Sequence, residues 1–407
     1  MKNILLPLAA LALAPPALAQ DEAAPEPAPA PQPAPAPSPS DHVNAAGQND
    51  WVVIAPEDML VMTLANAADG TPRRVVIQLM PKPFSQGWVE NIRTLARAKW
   101  YDGTSINRVQ DNYVVQWGDP NYDNPESGGE AKALPDTLRT MREGEYVAIQ
   151  NGWGDITELG EARERGAILS SQSAQAPSPG DETEASSLDA YAEYAGFIQG
   201  WPVGFGSAYT TAAREIIIPK EVAERMFDDM ETAANLPIFG QLNEDDAKAA
   251  QRIASSALTA VWPVHCYGMV GVGRNYSPDT GSGAELYTVI GHAPRHLDRN
   301  IALVGRIIGG MEHLSSLPRG TGALGFYSEE EANKRTPILS IRIASDLPED
   351  ERPQFEYLST SSGSFARYAD ARANRRDPFF IVPSGGADLC NVPVPVRAFE
   401  YVDGEDQ

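Results

Sequence analysis

The chain has 407 residues, with 32 Lys+Arg against 55 Asp+Glu and a formal net charge of −23. That acidic balance excludes a nucleic-acid or anionic-membrane binder, because phosphate contacts need clustered cations. Two cysteines exclude a disulfide-dense scaffold and a Cys-based zinc site, and five scattered histidines leave little for a His-based one.

The first residues have the pattern of an export signal. Lys2 is the only charge, residues 4–13 are an apolar stretch, and Ala17, Leu18 and Ala19 form a small-residue cleavage site. The apolar run is too short for a membrane anchor and is followed by Pro15 and Pro16. Residues 1–19 are therefore expected to be a signal peptide, which places the mature protein outside the cytoplasm, in the periplasm. Residues 20–48 follow as a linker. Proline stands at every second position from Pro25 to Pro39, which favours extended polyproline II and a spacer role.

Order is expected from Trp51. Residues 59–65 and 74–80 predict two strands joined by a turn at Ala67, Ala68, Asp69 and Gly70. An amphipathic helix follows, with Ser85 as N-cap and Trp88, Ile92 and Leu95 at helical spacing. Strands at 105–109 and 113–117 come next. From 120 to 262 the texture changes to Pro-, Gly-, Ser- and acid-rich sequence around a low-complexity run at 170–187, the pattern of an insertion. Inside it, Pro219 opens one expected helix, and Asn243 caps another running through Ala260. Strands resume at 268–272, 286–290 and 301–308, a short helix at 310–317 follows, and Leu339, Ile341 and Ile343 alternate as a last strand. The expected tail, 346–407, is loop-rich.

Two apparent motifs do not carry chemistry, and a third is absent. Residues 320–325 match GxGxxG, but a helix and Pro318 precede them where a dinucleotide site needs a strand. His292 and His296 are four apart, yet Pro294 between them prevents a clean helical zinc pair. No G-x-S-x-G nucleophile elbow is present.

The order of pieces is recognisable as a whole. The stretch VVIQLMPKPFSQGWVENIRTLARAKWYDGTSINRVQDNYVVQWGDP, then HCYGMVGVGR, then LYTVIGHAPRHLDRNIALVGRIIGGM resembles the cyclophilin-type peptidyl-prolyl isomerases, in two blocks, 59–120 and 263–345. The resemblance implies a mainly β fold: a closed antiparallel β-barrel capped by helices, spanning 49–345 and interrupted by the large, partly helical insertion. It also implies an enzyme that needs no cofactor and no metal, acting on proline-containing unfolded or newly exported polypeptides.

Rotation about an X-Pro bond faces a barrier of roughly 18–20 kcal/mol from amide resonance. A guanidinium near the prolyl nitrogen stabilises that nitrogen's lone pair and weakens its conjugation with the carbonyl. By resemblance, Arg108 is that catalytic group and Gln116 orients it and the substrate. Tyr113, Val114 and Leu297 match the apolar proline pocket, and Gly273 with Arg274 match the strand that pairs with the bound peptide. Where the family has a pocket phenylalanine this alignment puts Thr288, and where it has a rim tryptophan, His296, which implies poor cyclosporin binding. Asn107 replaces the histidine before the catalytic arginine, Leu286 a glutamine, and Ile301 a rim histidine. These departures leave open a rival reading, a proline-peptide-binding module with little catalysis. Cys266 and Cys390 are candidates for a disulfide, with a buried, unpaired Cys266 as the alternative.

Overall fold

The computed structural model describes residues 36–121, 129–151, 191–192, 194–207 and 258–399. The expected signal peptide, the low-complexity run and the helix opened by Pro219 lie outside them. Fifteen strands among the described residues form three antiparallel sheets.

The largest sheet has eight strands. Four come from the first block: β2 (Met59–Leu64), β3 (Arg73–Leu79), β4 (Ser105–Val109) and β5 (Val114–Gly118). Four come from the second: β10 (Met269–Val272), β11 (Leu286–Val289), β12 (Leu303–Gly309) and β13 (Ile338–Ile343). Their order is β13-β2-β3-β12-β10-β11-β5-β4. The two edge strands then meet. Ile106 N–H donates to the Thr336 carbonyl at 2.9 Å, and Ile338 N–H to that of Thr104 at 2.8 Å. A bidentate ion pair between Arg342 and Asp102 (2.6 and 2.7 Å) braces the same seam. Both edges are thereby paired, and the sheet becomes a nearly closed barrel.

Inward-facing residues explain the barrel's stability. Leu60, Met62, Val75, Ile77, Ile106, Val115, Trp117 and Leu286 are buried in one apolar cluster. Helix α2 (Gln86–Arg97) adds Trp88, Ile92 and Leu95, all fully buried, so the periodic face seen in the sequence covers one end of the barrel. Trp88 Nε1 donates to the Thr280 carbonyl at 3.0 Å, which satisfies the indole inside the core. Ser85 stands at the N-cap position in the left-handed region (φ 50°), and its side chain caps no backbone N–H.

The regions outside the barrel are more regular than their sequence suggests. In the insertion, β6 (Ala148–Asn151), β7 (Tyr194–Ile198), β8 (Trp201–Ser207) and β9 (Leu258–Pro263) form a second sheet in the order β6-β9-β8-β7. The helix expected to run through Ala260 is corrected there. Leu258, Val261 and Trp262 belong to a strand, and Ala260 faces Ile149 across the ladder. In the tail, β14 (Phe355–Leu358) pairs with β1 (Trp51–Val53) and β15 (Val396–Ala398). Helix α4 (Gly363–Ala373) follows β14 and is capped by Ser362 Oγ, which accepts from Phe365 N–H at 3.0 Å. Order also begins before Trp51. Helix α1 (Pro39–Asn44) starts where the proline run ends, with Ser38 and Asp41 forming a capping box and Pro39 at N1. A fourth helix in sequence between these, α3 (Glu312–Ser315), follows β12.

Two features join the three sheets. Arg306 on β12 is buried, donating from Nε to Gln78 Oε1 (2.9 Å) and from Nη1 to the Gly200 carbonyl (2.8 Å). Its guanidinium lies 4.5 Å from the Trp201 ring and 5.8 Å from that of Tyr357, so one cation touches barrel, insertion and tail. Burial lowers its pKa to about 10, which leaves it charged at neutral pH. The second feature is covalent. Cys266 and Cys390 are joined in a disulfide with Cα atoms 5.1 Å apart, tying the tail to the segment before β10.

Candidate active site

A cleft of about 710 Å³ opens on the outer face of β4, β5 and β11, beside the segment that follows β10. Arg108, Tyr113, Val114, Gln116, Gly273, Arg274 and Leu297 all line it, although they come from both sequence blocks. Strand geometry brings them there. Arg108 on β4 faces Gln116 on β5, and Gln116 in turn faces Tyr287 on β11, so the three side chains form a row across neighbouring strands.

The guanidinium of Arg108 is held from several sides. Nη1 donates to Gln116 Oε1 at 3.2 Å, Nε to the Leu324 carbonyl at 2.7 Å, and Nη2 to Gln110 Oε1. The rings of Tyr113 and Phe326 lie 5.6 and 5.5 Å from its carbon. All these partners are neutral, and burial lowers the arginine's pKa. An arginine remains cationic under such a shift, so the cleft presents a fixed positive charge whose hydrogen-bond partners among the described residues are all neutral. Such a charge acts on a developing lone pair without first having to reorganise.

Leu324 and Phe326 come from the glycine-rich stretch that mimics a dinucleotide motif. Here it is a loop against β4. Gly320 N–H donates to the Val109 carbonyl at 3.0 Å, and Tyr327 N–H to that of Asn107 at 2.9 Å. Gly325 has φ +81°, and a Cβ there would stand 2.8 Å from Gln110 Cβ, so glycine is needed for the loop to reach the arginine. Sequence reasoning missed Gln110, Leu324 and Phe326. Only the literal glycine pattern marked the loop, and it pointed to the wrong chemistry.

Two pocket assignments are corrected. Thr288 is fully buried on the inner face of β11, where its hydroxyl meets no hydrogen-bond partner among the described residues. Tyr287, one residue earlier, faces the cleft, together with Glu285. The alignment slipped by one residue, and because side chains alternate along a strand, every assignment on β11 changed face. Leu286 likewise points into the core. The aromatic wall that appeared to be lost is present as Tyr287. His296 is exposed and does not line the cleft, whereas Ile301 does. Asn107 is buried in the barrel wall, donating from Nδ2 to the Gly118 carbonyl at 3.0 Å and accepting from Ser105 Oγ at 2.6 Å.

Gly273 is restricted by its neighbours. Its N–H donates to the Glu285 carbonyl at 2.8 Å, and a Cβ would stand 2.9 Å from that of Glu285. Arg274 turns to the rim, donating from Nε to the Asn300 carbonyl at 2.9 Å. Tyr276 lies beside it, exposed at the cleft mouth. No group of three or more His, Cys, Asp and Glu side chains among the described residues is arranged to hold a metal ion.

Residues 67–176 match the family model for the cyclophilin type peptidyl-prolyl cis-trans isomerases. No curated protein matches the chain. Among solved structures, the cyclophilin AquaCyp293 from Hirschia baltica is 20% identical, with 87% of this chain and 95% of that one covered at a TM-score of 0.51. Two structures of a cyclophilin type peptidyl-prolyl cis-trans isomerase from Cryptosporidium parvum, one in the presence of the dipeptide Ala-Pro, are 9% and 10% identical. They cover 70% of this chain and 98% and 96% of theirs, at TM-scores of 0.30 and 0.31.

Proposed function

From a chain that carries a cyclophilin-type peptidyl-prolyl isomerase domain, we propose an isomerase that twists X-Pro amides of exported polypeptides. The observation that carries this reading is Arg108, a buried-side cation fixed at the cleft by Gln116, Gln110 and the Leu324 carbonyl. The proline ring rests on Val114, Tyr287, Leu297 and Ile301. The prolyl nitrogen faces the guanidinium, which favours the pyramidal nitrogen of the twisted amide over the planar one. Gln116 holds the arginine in place, and the edge near Gly273 receives the substrate backbone. No covalent bond forms, and binding energy is used only to the extent that it favours the twisted state.

Export is supported by the Lys2-to-Ala19 pattern and by the bonded pair Cys266–Cys390, which suits an oxidising compartment such as the periplasm. The test is cis/trans exchange of a short Ala-Pro peptide by NMR, with the wild-type protein and Arg108→Ala. Exchange broadening that disappears in the variant is the expected result. Shift changes of equal size in both proteins, without faster exchange, would instead identify a proline-binding module. That rival drew its support from Thr288 and His296 as pocket members, and neither lines the cleft.

A further inference from the structure

Behind the cleft wall runs a chain of buried polar groups for which amide twisting has no use. The Tyr287 hydroxyl lies 2.8 Å from His265 Nε2. His265 Nδ1 and its backbone N–H both reach Asp298 Oδ1, at 2.8 and 2.9 Å. Arg295 Nε donates to Asp298 Oδ2 at 2.6 Å. None of the four residues is more than 5% exposed. Asp298 can only accept, so Nδ1 carries a ring proton, and on a neutral imidazole Nε2 is then the acceptor that faces the phenol.

Such a chain is stiff for a definite reason. Each group bonds the next, and turning either Tyr287 or His265 breaks a buried hydrogen bond of the other. The Tyr287 ring is restrained from its other side as well. A Cβ on Gly271 would stand 2.3 Å from the Tyr287 oxygen, so the phenol lies in a slot that only glycine leaves open. The chain also spans two walls of the cleft. Tyr287 belongs to β11, while Asp298 directly follows Leu297, a lining residue on a separate turn.

A plain apolar ring would bury the same area. What the hydroxyl adds is a fixed orientation, and hence a fixed pocket width. We propose that His265 is a positioning residue which, by holding the Tyr287 hydroxyl, makes the pocket selective for the five-membered ring of proline over a six-membered imino acid. This inference rests on reading the cleft as a proline pocket.

The experiment measures kcat and KM by NMR exchange for an Ala-Pro peptide and its pipecolic-acid counterpart, using wild type, Tyr287→Phe, His265→Gln and the double variant. A pocket of fixed width separates ligands that differ by one methylene by about tenfold or more. Tyr287→Phe keeps the ring and frees it, so KM for Ala-Pro should rise severalfold, kcat should move less, and discrimination should narrow. His265→Gln should do the same, and the double variant should add nothing further. If His265→Gln fails to fold, as judged by circular dichroism, Tyr287→Phe decides alone. Wild-type exchange with undiminished discrimination in Tyr287→Phe would overturn this inference and leave the isomerase reading intact. Absence of wild-type exchange would overturn both.

Discussion

The two sides of the cleft are built on different physical principles. On one side, Arg108 is surrounded by neutral acceptors and two aromatic rings, and among the described residues the sheet and the glycine loop hold it without an ion pair. On the other, Tyr287 presents an apolar face whose hydroxyl is tied into a buried polar chain ending at an arginine–aspartate pair. In the proposed function, the first side keeps its charge available to the substrate. The second uses up its polarity internally, so that the substrate meets only a surface. The comparison predicts that damage to the charged side reduces the rate, while damage to the wall reduces binding.

The largest expected effect is on the charged side. Arg108→Ala should lower kcat by about 100- to 1000-fold, the range for removing one preorganised electrostatic group, while KM changes far less. A fall confined to KM would erase the distinction between the two sides. Gly271→Ala tests the wall. Its new Cβ meets the Tyr287 oxygen and ring carbons at 2.3 to 2.7 Å, and overpacking of this kind costs about 1–3 kcal/mol. Peptide titrations should show weaker binding with kcat largely retained, together with a lower melting temperature.

Phe326→Ala addresses the loop on the charged side. Loss of one cation–π contact corresponds to about 0.5–2 kcal/mol, so kcat should drop by less than in Arg108→Ala, without the KM effect of a wall variant. The smallest effect belongs to the barrel seam, away from both sides. The Asp102 carboxyl is held below its usual pKa chiefly by the hydrogen bond from Arg342. Its stabilisation is therefore fully present above the unfolded-state pKa and lost as pH falls through the lower folded value. Asp102→Asn should cost about 0.2–1 kcal/mol at neutral pH. The difference in melting temperature from wild type should narrow below about pH 4, with exchange kinetics unchanged.

Much of the barrel was legible in the sequence because its strands alternate cleanly and α2 has one unbroken apolar face. The expected range of β4 is the observed one, that of β2 is one residue longer at its C-terminal end, and that of β3 is displaced by one residue at both ends. Arg108 and Gln116 were legible because short motifs with polar anchors fix their register. β11 was not. In Leu286-Tyr287-Thr288-Val289 each residue can occupy a strand face, and nothing in the local pattern separates a slip of one from the true register. The glycine loop was obscure for another reason: what it contributes to Arg108 is a backbone carbonyl, and carbonyls leave no trace in side-chain chemistry. The tail appeared loop-rich because its strands β14 and β15 have only four and three residues, too short for a periodic signal.

The strand order carries a consequence for how this protein is made. In the barrel, β2 lies between β3 and β13, and Leu60 pairs with Ile343. The early strands therefore wait for partners encoded almost three hundred residues later. At roughly 5–20 residues per second of synthesis, that interval is tens of seconds. Until β12 is made, both outer edges of the β2–β3 hairpin are open to pairing with other chains, and the β2 edge stays open until β13 follows. Closure of the ring thus depends on late, distant partners, the class of topology that folds most slowly. A protein proposed to speed the folding of others would itself depend on being kept apart from neighbours until its last barrel strand arrives.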